Sequence, residues 1–377
     1  PNEKQEKERL KVRAFAEEVI APEAARLDEE ERFSPELTRK MGEQGLLGLV
    51  APKGYGGQEK DTLSYIIAVE ELARVDSSQA ATVVAHNSLG LTPIMDYGTT
   101  EQKEKYLPKL TSGKHLWAFG LTEENAGSDA RGTETTAVRD GNEWVINGTK
   151  KYITNASSPL TLGVTLQVMT KDNNGRSNLT TIFVESGTPG FESERMLGKM
   201  MWRAADTAQL TFKDCRVPYS NLMGKEGQGI HYMLKTLDSG RLSVAAMGLG
   251  LAQGAFEMAL KHAKTRKQFG RTIGRNQVIG FKLADMSMKL ELARNTLYRT
   301  CVLKDNGQPY AREAAMSKLY TSEIAREIAD EAVQIFGGSG LFKDNPIERF
   351  YRDQRLLQIG EGTSEILRLV IARGLGV

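Results

Sequence analysis

The strongest constraint on this chain is a change of hydrophobic period that happens twice along it. Residues 1–114 carry helix-type patterns. Apolar residues such as Leu10, Ala14, Val19 and Ala21 recur at mixed spacings between Lys4 and Leu27, and Leu63 to Val75 reads as a further amphipathic helix. Ser34 and Pro35 look like an N-cap and first-turn proline. Residues 115–226 switch to short β-rich runs parted by Gly, Asp, Asn and Pro. Runs at 135–138 and 144–146 flank Asp140-Gly141, a two-residue hairpin signal. Val164 to Met169, Thr180 to Val184 and Gln209 to Phe212 are further strand candidates. Residues 227–377 return to helices, with Ile279, Leu283, Met286 and Leu290 on one face. The order helices, sheet, helices is not the strand–helix alternation of a Rossmann enzyme. It predicts a helical domain over 1–114, a small sheet or barrel over 115–226 and a helical bundle over 227–377.

Composition narrows the function. A chain of 377 residues is too long for one core, which fits a multidomain reading. Lys and Arg number 50 against 48 Asp and Glu, so no basic excess speaks for a nucleic-acid partner. Cys215 and Cys301 form neither a disulfide framework nor a zinc motif, and they suit a reducing compartment, the cytoplasm or, in a eukaryote, the mitochondrial matrix. His86, His115, His231 and His262 are scattered, so no metal site is expected. No run of eighteen apolar residues suggests a membrane span, and charged Pro1 to Leu10 is unlike a secretory signal.

Four segments invite a chemical reading. Gly248, Gly250 and Gly254 mimic a dinucleotide fingerprint, but no strand precedes them, so close helix packing is the better reading. Gly337-Gly338-Ser339-Gly340 follows a helical stretch and reads as a helix stop, with room for a phosphate to approach the backbone. From Phe119 a strand-like piece enters a polar loop with hydroxyls at Thr122 and Ser128. The loop offers donors to an anionic or heteroaromatic ligand, and it also suits an ordinary capped turn. Glu361 stands between Gly360 and Gly362, ahead of a helix that Thr363 or Ser364 could cap. Flanking glycines free the backbone to place a carboxylate unusually, and an apolar setting would raise its pKa toward that of a general base.

Taken together, these segments resemble the acyl-CoA dehydrogenase family. The matching blocks are Thr122-Glu123 with Ala126 to Asp129, Asn147 to Asn155, Arg266 with Gln268 to Gly270, Gln334 with Gly337-Gly338, and Glu361 to Ser364, all in family order. The resemblance implies an α+β multidomain fold with an N-terminal helical domain, a central β-barrel-like domain and a C-terminal four-helix bundle. It implies a homotetramer, a dimer of dimers, with FAD between the β-domain and the bundle. Thr122, Ser128, Tyr152 and Thr154 would line the flavin. Arg266, Gln268, Phe269 and Gln277 would contact the pyrophosphate and adenosine region. Gln334 and Gly338 would reach a partner subunit's FAD, and Thr363 and Glu365 would also lie on the cofactor. Ser128, Asp238, Arg241, Gly360, Gly362 and Arg373 would meet the acyl-CoA substrate.

Glu361 matches the family's catalytic base. Some members carry that Glu on an earlier helix, where this chain has Gly240. The implied reaction is α,β-dehydrogenation of an acyl-CoA thioester to the 2-enoyl-CoA. The thioester carbonyl would be held by the Glu361 N–H and a flavin hydroxyl, and electrons would pass to an electron-transfer flavoprotein. An oxidase that uses O₂, or a flavoprotein serving only in assembly, are the alternative readings. Several residues depart from the family pattern. Tyr152 replaces a common Trp, Glu124 a Pro and Ala205 a Ser. Ala80 stands where glutaryl-CoA dehydrogenases place an Arg, which disfavours a dicarboxylate. Gly360 stands where straight-chain enzymes usually have Tyr, which favours a short, branched or cyclic acyl group.

Overall fold

The computed structural model describes residues 1–172 and 174–377. Seven α-helices come first: α1 Glu3–Phe15, α2 Ala21–Glu29, α3 Pro35–Glu43, α4 Thr62–Ala73, α5 Ser77–Val84, α6 Thr92–Tyr97 and α7 Thr100–Thr111. Ser34 caps α3 as expected, its side chain accepting from Leu37 N, with Pro35 in the first turn. The expected amphipathic face of α4 does not exist. Every residue from Leu63 to Ala73 is buried, because α4 is the central helix, enclosed by neighbours on all sides.

A seven-stranded sheet follows: β1 Leu116–Gly120, β2 Thr136–Asp140, β3 Glu143–Thr154, β4 Thr161–Lys171, β5 Ser177–Glu185, β6 Phe191–Arg195 and β7 Thr207–Pro218. β4 pairs with β1 in parallel and with β5 antiparallel, while β3 lies between β2 and β7, and β6 flanks β7. The β2–β3 turn sits one residue later than the sequence suggested. Asp140 pairs with Glu143, so Gly141 and Asn142 form the loop. Gly141 has φ 60°, as a first central position of a type II′ turn requires.

The last part holds α8 Gly229–Thr265, α9 Gln277–Asp305, α10 Ala311–Phe336, α11 Ile347–Asp353 and α12 Ser364–Leu375, with a small hairpin, β8 Lys267–Gln268 and β9 Arg271–Thr272, between α8 and α9. α8, α9, α10 and α12 make the bundle. Met286 and Leu290 are buried and Ile279 and Leu283 pack beside the core, as their spacing predicts. A Cβ at Gly250 or Gly254 would fall 2.2 Å from the carbonyl of Glu70 or Arg74, so these glycines let α8 press against α4. By length and composition α8 could cross a membrane, but 78% of its apolar window is buried in the protein's own core. One hydrophobic cluster runs through the N-terminal helices and the bundle, and a second fills the sheet.

Candidate active site

Glu361 follows a short 3₁₀ turn, Gln354–Gln358, and precedes α12. The chain reverses here through two left-handed residues, Glu361 at φ 52° and Gly362 at φ 101°. A left-handed non-glycine residue persists only where its surroundings hold it. Thr363 then caps α12 by accepting from Ile366 N at 3.2 Å. The turn aims the carboxylate at α8. A Cβ built on Gly240 would lie 2.2 Å from Glu361 Oε2, so the volume at Gly240 belongs to this carboxylate. Oε2 is buried and has no hydrogen-bond partner among the described residues, although the residue as a whole stays half-open. Burial pushes the carboxyl up to about 7, opposed by the charges of Lys318 and Arg241.

The neighbouring polar groups are equally enclosed. Arg241 is buried and binds Asp238 Oδ1 at 2.7 Å, and its Nε has no partner among the described residues. Burial raises the Asp238 carboxyl, and Arg241 opposes the rise. Gly360 has ordinary backbone, and a Cβ there would meet Leu356 at 3.5–3.7 Å, an ordinary van der Waals contact. Arg373 stands exposed in the last turn of α12, about 14 Å along the axis from Ser364.

The sheet carries the residues expected to line a flavin, and the end of its first strand reaches α8. Phe119 and Leu121, at the end of β1, pack with Met233 and Leu237 of α8 and with Leu89. Leu89 also borders Gly240. Thr122 is tied to β3 by Lys151 N donating to its carbonyl at 2.9 Å. The β3–β7 register slips between Lys150 and Ile153, and within that slip Tyr152 takes φ 63° and stands 57% exposed. Such an irregularity re-aims a side chain out of the sheet. Sequence reasoning missed what supports this loop. Lys150 is fully buried and binds Glu123 Oε1 at 2.7 Å and the Leu121 carbonyl at 3.1 Å. Glu123 also accepts from Glu134 N and Thr135 N. Both residues lie inside the family blocks, yet they build the loop from within. Glu124 is exposed and pairs with Lys151.

The remaining residues gather elsewhere. Arg266 ends α8, and the β8–β9 turn is Phe269-Gly270, both at positive φ, with Phe269 95% exposed. Gln268 and Gln277 are exposed beside it, and Gln334 and Gly338 are exposed at the end of α10. His262 of α8 stacks on Phe336 of α10 at 4.2 Å, which sets these two ends together. Arg266 lies 26 residues along the chain from Gly240, about 39 Å along α8. The expected site residues therefore fall into two groups at opposite ends of the bundle. Their chemistry fits FAD. In the sheet and its loop the hydroxyls of Thr122, Ser128 and Thr154 make no hydrogen bond among the described residues, so they are available to a ligand. At the far end a guanidinium, the three amides of Gln268, Gln277 and Gln334 and an open Gly337-Gly338 backbone offer donors to a pyrophosphate.

Comparison with known proteins matches all three parts of the chain. Three sequence families match, described as acyl-CoA dehydrogenase N-terminal domain over residues 2–114, middle domain over 118–215 and C-terminal domain over 227–376. The short-chain specific acyl-CoA dehydrogenase of Clostridium acetobutylicum is 44% identical over 98% of this chain and 97% of its own. Butyryl-CoA dehydrogenase from Megasphaera elsdenii superposes with TM-score 0.96 at 38% identity, covering 100% of this chain and 99% of that one. A chain of the structure described as electron transferring flavoprotein of Acidaminococcus fermentans also reaches TM-score 0.96, at 43% identity, covering 100% and 98%.

Proposed function

The chain belongs to the acyl-CoA dehydrogenase family, and from that premise we propose that it oxidises a short acyl-CoA at Cα–Cβ with Glu361 as the base. Enzymes of this family are FAD-dependent oxidoreductases acting on CH–CH donors. FAD, when bound, accepts the β-hydride. The observation that carries the proposal is the Glu361 carboxylate itself, held by a left-handed turn over Gly240 with Oε2 buried and unpartnered. A group so placed can take the α-proton, and its raised pKa suits that task near neutrality. The Glu361 N–H lies on the same turn and is the donor for the thioester carbonyl, where enolate charge develops.

Short-chain names among the relatives support a short acyl group. The space beside Gly360 supports tolerance of a branch or ring near Cα–Cβ, and Ala80, fully buried in the core, offers no charge to a distal carboxylate. Electron-transfer flavoprotein is the acceptor we assign, supported by the flavoprotein structure that matches. The two half-sites, about 39 Å apart, support a homo-oligomer in which Arg266, Phe269, Gln334 and Gly338 complete a partner's FAD site. Two free, buried cysteines suit a reducing compartment. Anaerobic bleaching of the flavin by a panel of thioesters tests the substrate assignment. Butyryl-CoA and a branched or cyclic short thioester should bleach fastest, and preference for octanoyl-CoA over all of them would refute it.

A further inference from the structure

Lys318 lies on α10 with no exposed surface. Its Nζ donates to the Gly362 carbonyl at 2.6 Å and forms no ion pair among the described residues. One further side chain of α10 grips the same segment. Glu323 accepts from Gln358 Nε2 at 3.0 Å and from Ser364 Oγ at 2.8 Å. The Glu361 turn is therefore held at its beginning, at its left-handed glycine and at the start of α12, always from α10. A fully buried ammonium bonded only to a carbonyl is costly, because it gives up hydration without a carboxylate contact in return.

We propose that Lys318 is the positioning residue of Glu361: its ammonium, bonded to the Gly362 carbonyl, fixes the left-handed turn that delivers the carboxylate to Gly240 and keeps a positive charge beside it. The inference rests on Glu361 being the base. The groups that face Glu361 are Lys318 from α10, Arg241 and Gly240 from α8, and Tyr65 from α4. Arg241 already pairs with Asp238, so Lys318 is the cation that serves Glu361 without a carboxylate bonded to it. Burial lowers the Lys318 amine to about 8, partly offset by Glu361, so it stays mostly charged at neutral pH. Without it, the burial of Glu361 is less opposed and the carboxyl keeps its proton to higher pH.

The test uses FAD-loaded protein and the rate at which butyryl-CoA bleaches the flavin anaerobically, from pH 5.5 to 9 on the order of the range that brackets both groups. The variants are Lys318→Met, which removes donor and charge, and Lys318→Gln, which keeps an N–H donor without charge. Both should keep FAD. Lys318→Met should bleach at least ~10-fold more slowly at pH 7, and both should move the acid limb of the profile upward by about one pH unit, the scale of a single neighbouring charge. A general loss of packing would lower the rate at every pH without moving the limb. An unmoved limb, a native rate, or loss of FAD by both variants would overturn the proposal, the last by making Lys318 a structural residue. Glu361→Gln separates the two readings. If it bleaches at the native rate, the base assignment fails; if it is inert while the Lys318 variants keep the native limb, only the positioning role fails.

Discussion

At the scale of single residues, Gly240 and Glu361 are two halves of one design. A carboxylate fills the volume that any larger residue at Gly240 would need. Gly240→Ala puts a Cβ 2.2 Å from Oε2, so the carboxylate must move. We expect normal FAD content and a drop in bleaching rate of ~10²-fold, as misplacing a reacting group by about 1 Å produces. Unchanged bleaching would show that the carboxylate works from another position. The pH profile follows from the same burial. Protonated Glu361 cannot accept the α-proton, so the rate should rise about tenfold per pH unit and level off above about 7. The sign for stability is opposite. The folded protein holds this proton more firmly than the unfolded chain, whose carboxyl titrates near 4.5, so this group costs stability as pH rises from 4.5 to about 7. Glu361 stood out in the sequence through the family block Glu361 to Ser364 and its two flanking glycines, although a lone Glu before a helix usually reads as solvated. Lys318 did not, because a lysine in a helical pattern reads as solvated, and only the fold turns it toward Gly362. Gly360→Tyr should cost a branched thioester ~10-fold or more in kcat/KM and butyryl-CoA less, given the value of pocket methylenes. Equal losses would mean that Leu356 already closes the space.

At the scale of elements, the sheet's site-facing loop hangs on a buried ion pair. Lys150 and Glu123 are both enclosed, and removing one partner leaves an uncompensated charge. Lys150→Met should therefore cost about 3–5 kcal/mol in the sheet's stability and weaken FAD retention, read as flavin release on heating. Flavin retained to the native temperature would contradict this. The elements themselves were partly legible. Period changes separated helices from strands, and the Ser34-Pro35 and Thr363 caps fall where expected. The β2–β3 turn was misplaced by one residue because Asp140-Gly141 and Gly141-Asn142 both carry turn chemistry, and β-pairing of Asp140 with Glu143 decides between them. The α4 pattern misled because a helix buried on all sides retains its few polar residues only where partners exist. Glu70 and Glu71 are such residues, paired with Arg294 and Arg13.

At the scale of the whole molecule, the two half-sites proposed on one chain would be completed by a second chain. α9 presents Val278, Phe281, Met288 and Leu292, all more than half exposed, as a stripe at helical spacing. Ion pairs Lys282–Glu331 and Lys289–Glu327 border it. An exposed stripe of this kind is the surface a second chain would cover in the proposed oligomer. Phe281→Glu should shift the native assembly toward smaller species in sedimentation and release FAD together with it. A native protein that is monomeric at low concentration with full FAD would contradict the shared site. The stripe was invisible in the sequence, because apolar residues on a helix look alike whether the core or a partner covers them.

The central claim is that Glu361 removes the α-proton of a short acyl-CoA. It is tested most directly by anaerobic bleaching with butyryl-CoA in native protein and in Glu361→Gln, both matched for FAD and for butyryl-CoA affinity. With Glu361 as the base, the native flavin bleaches rapidly and the variant at a rate at least ~10²-fold lower. Bleaching at a comparable rate in both would place the base elsewhere and contradict the claim.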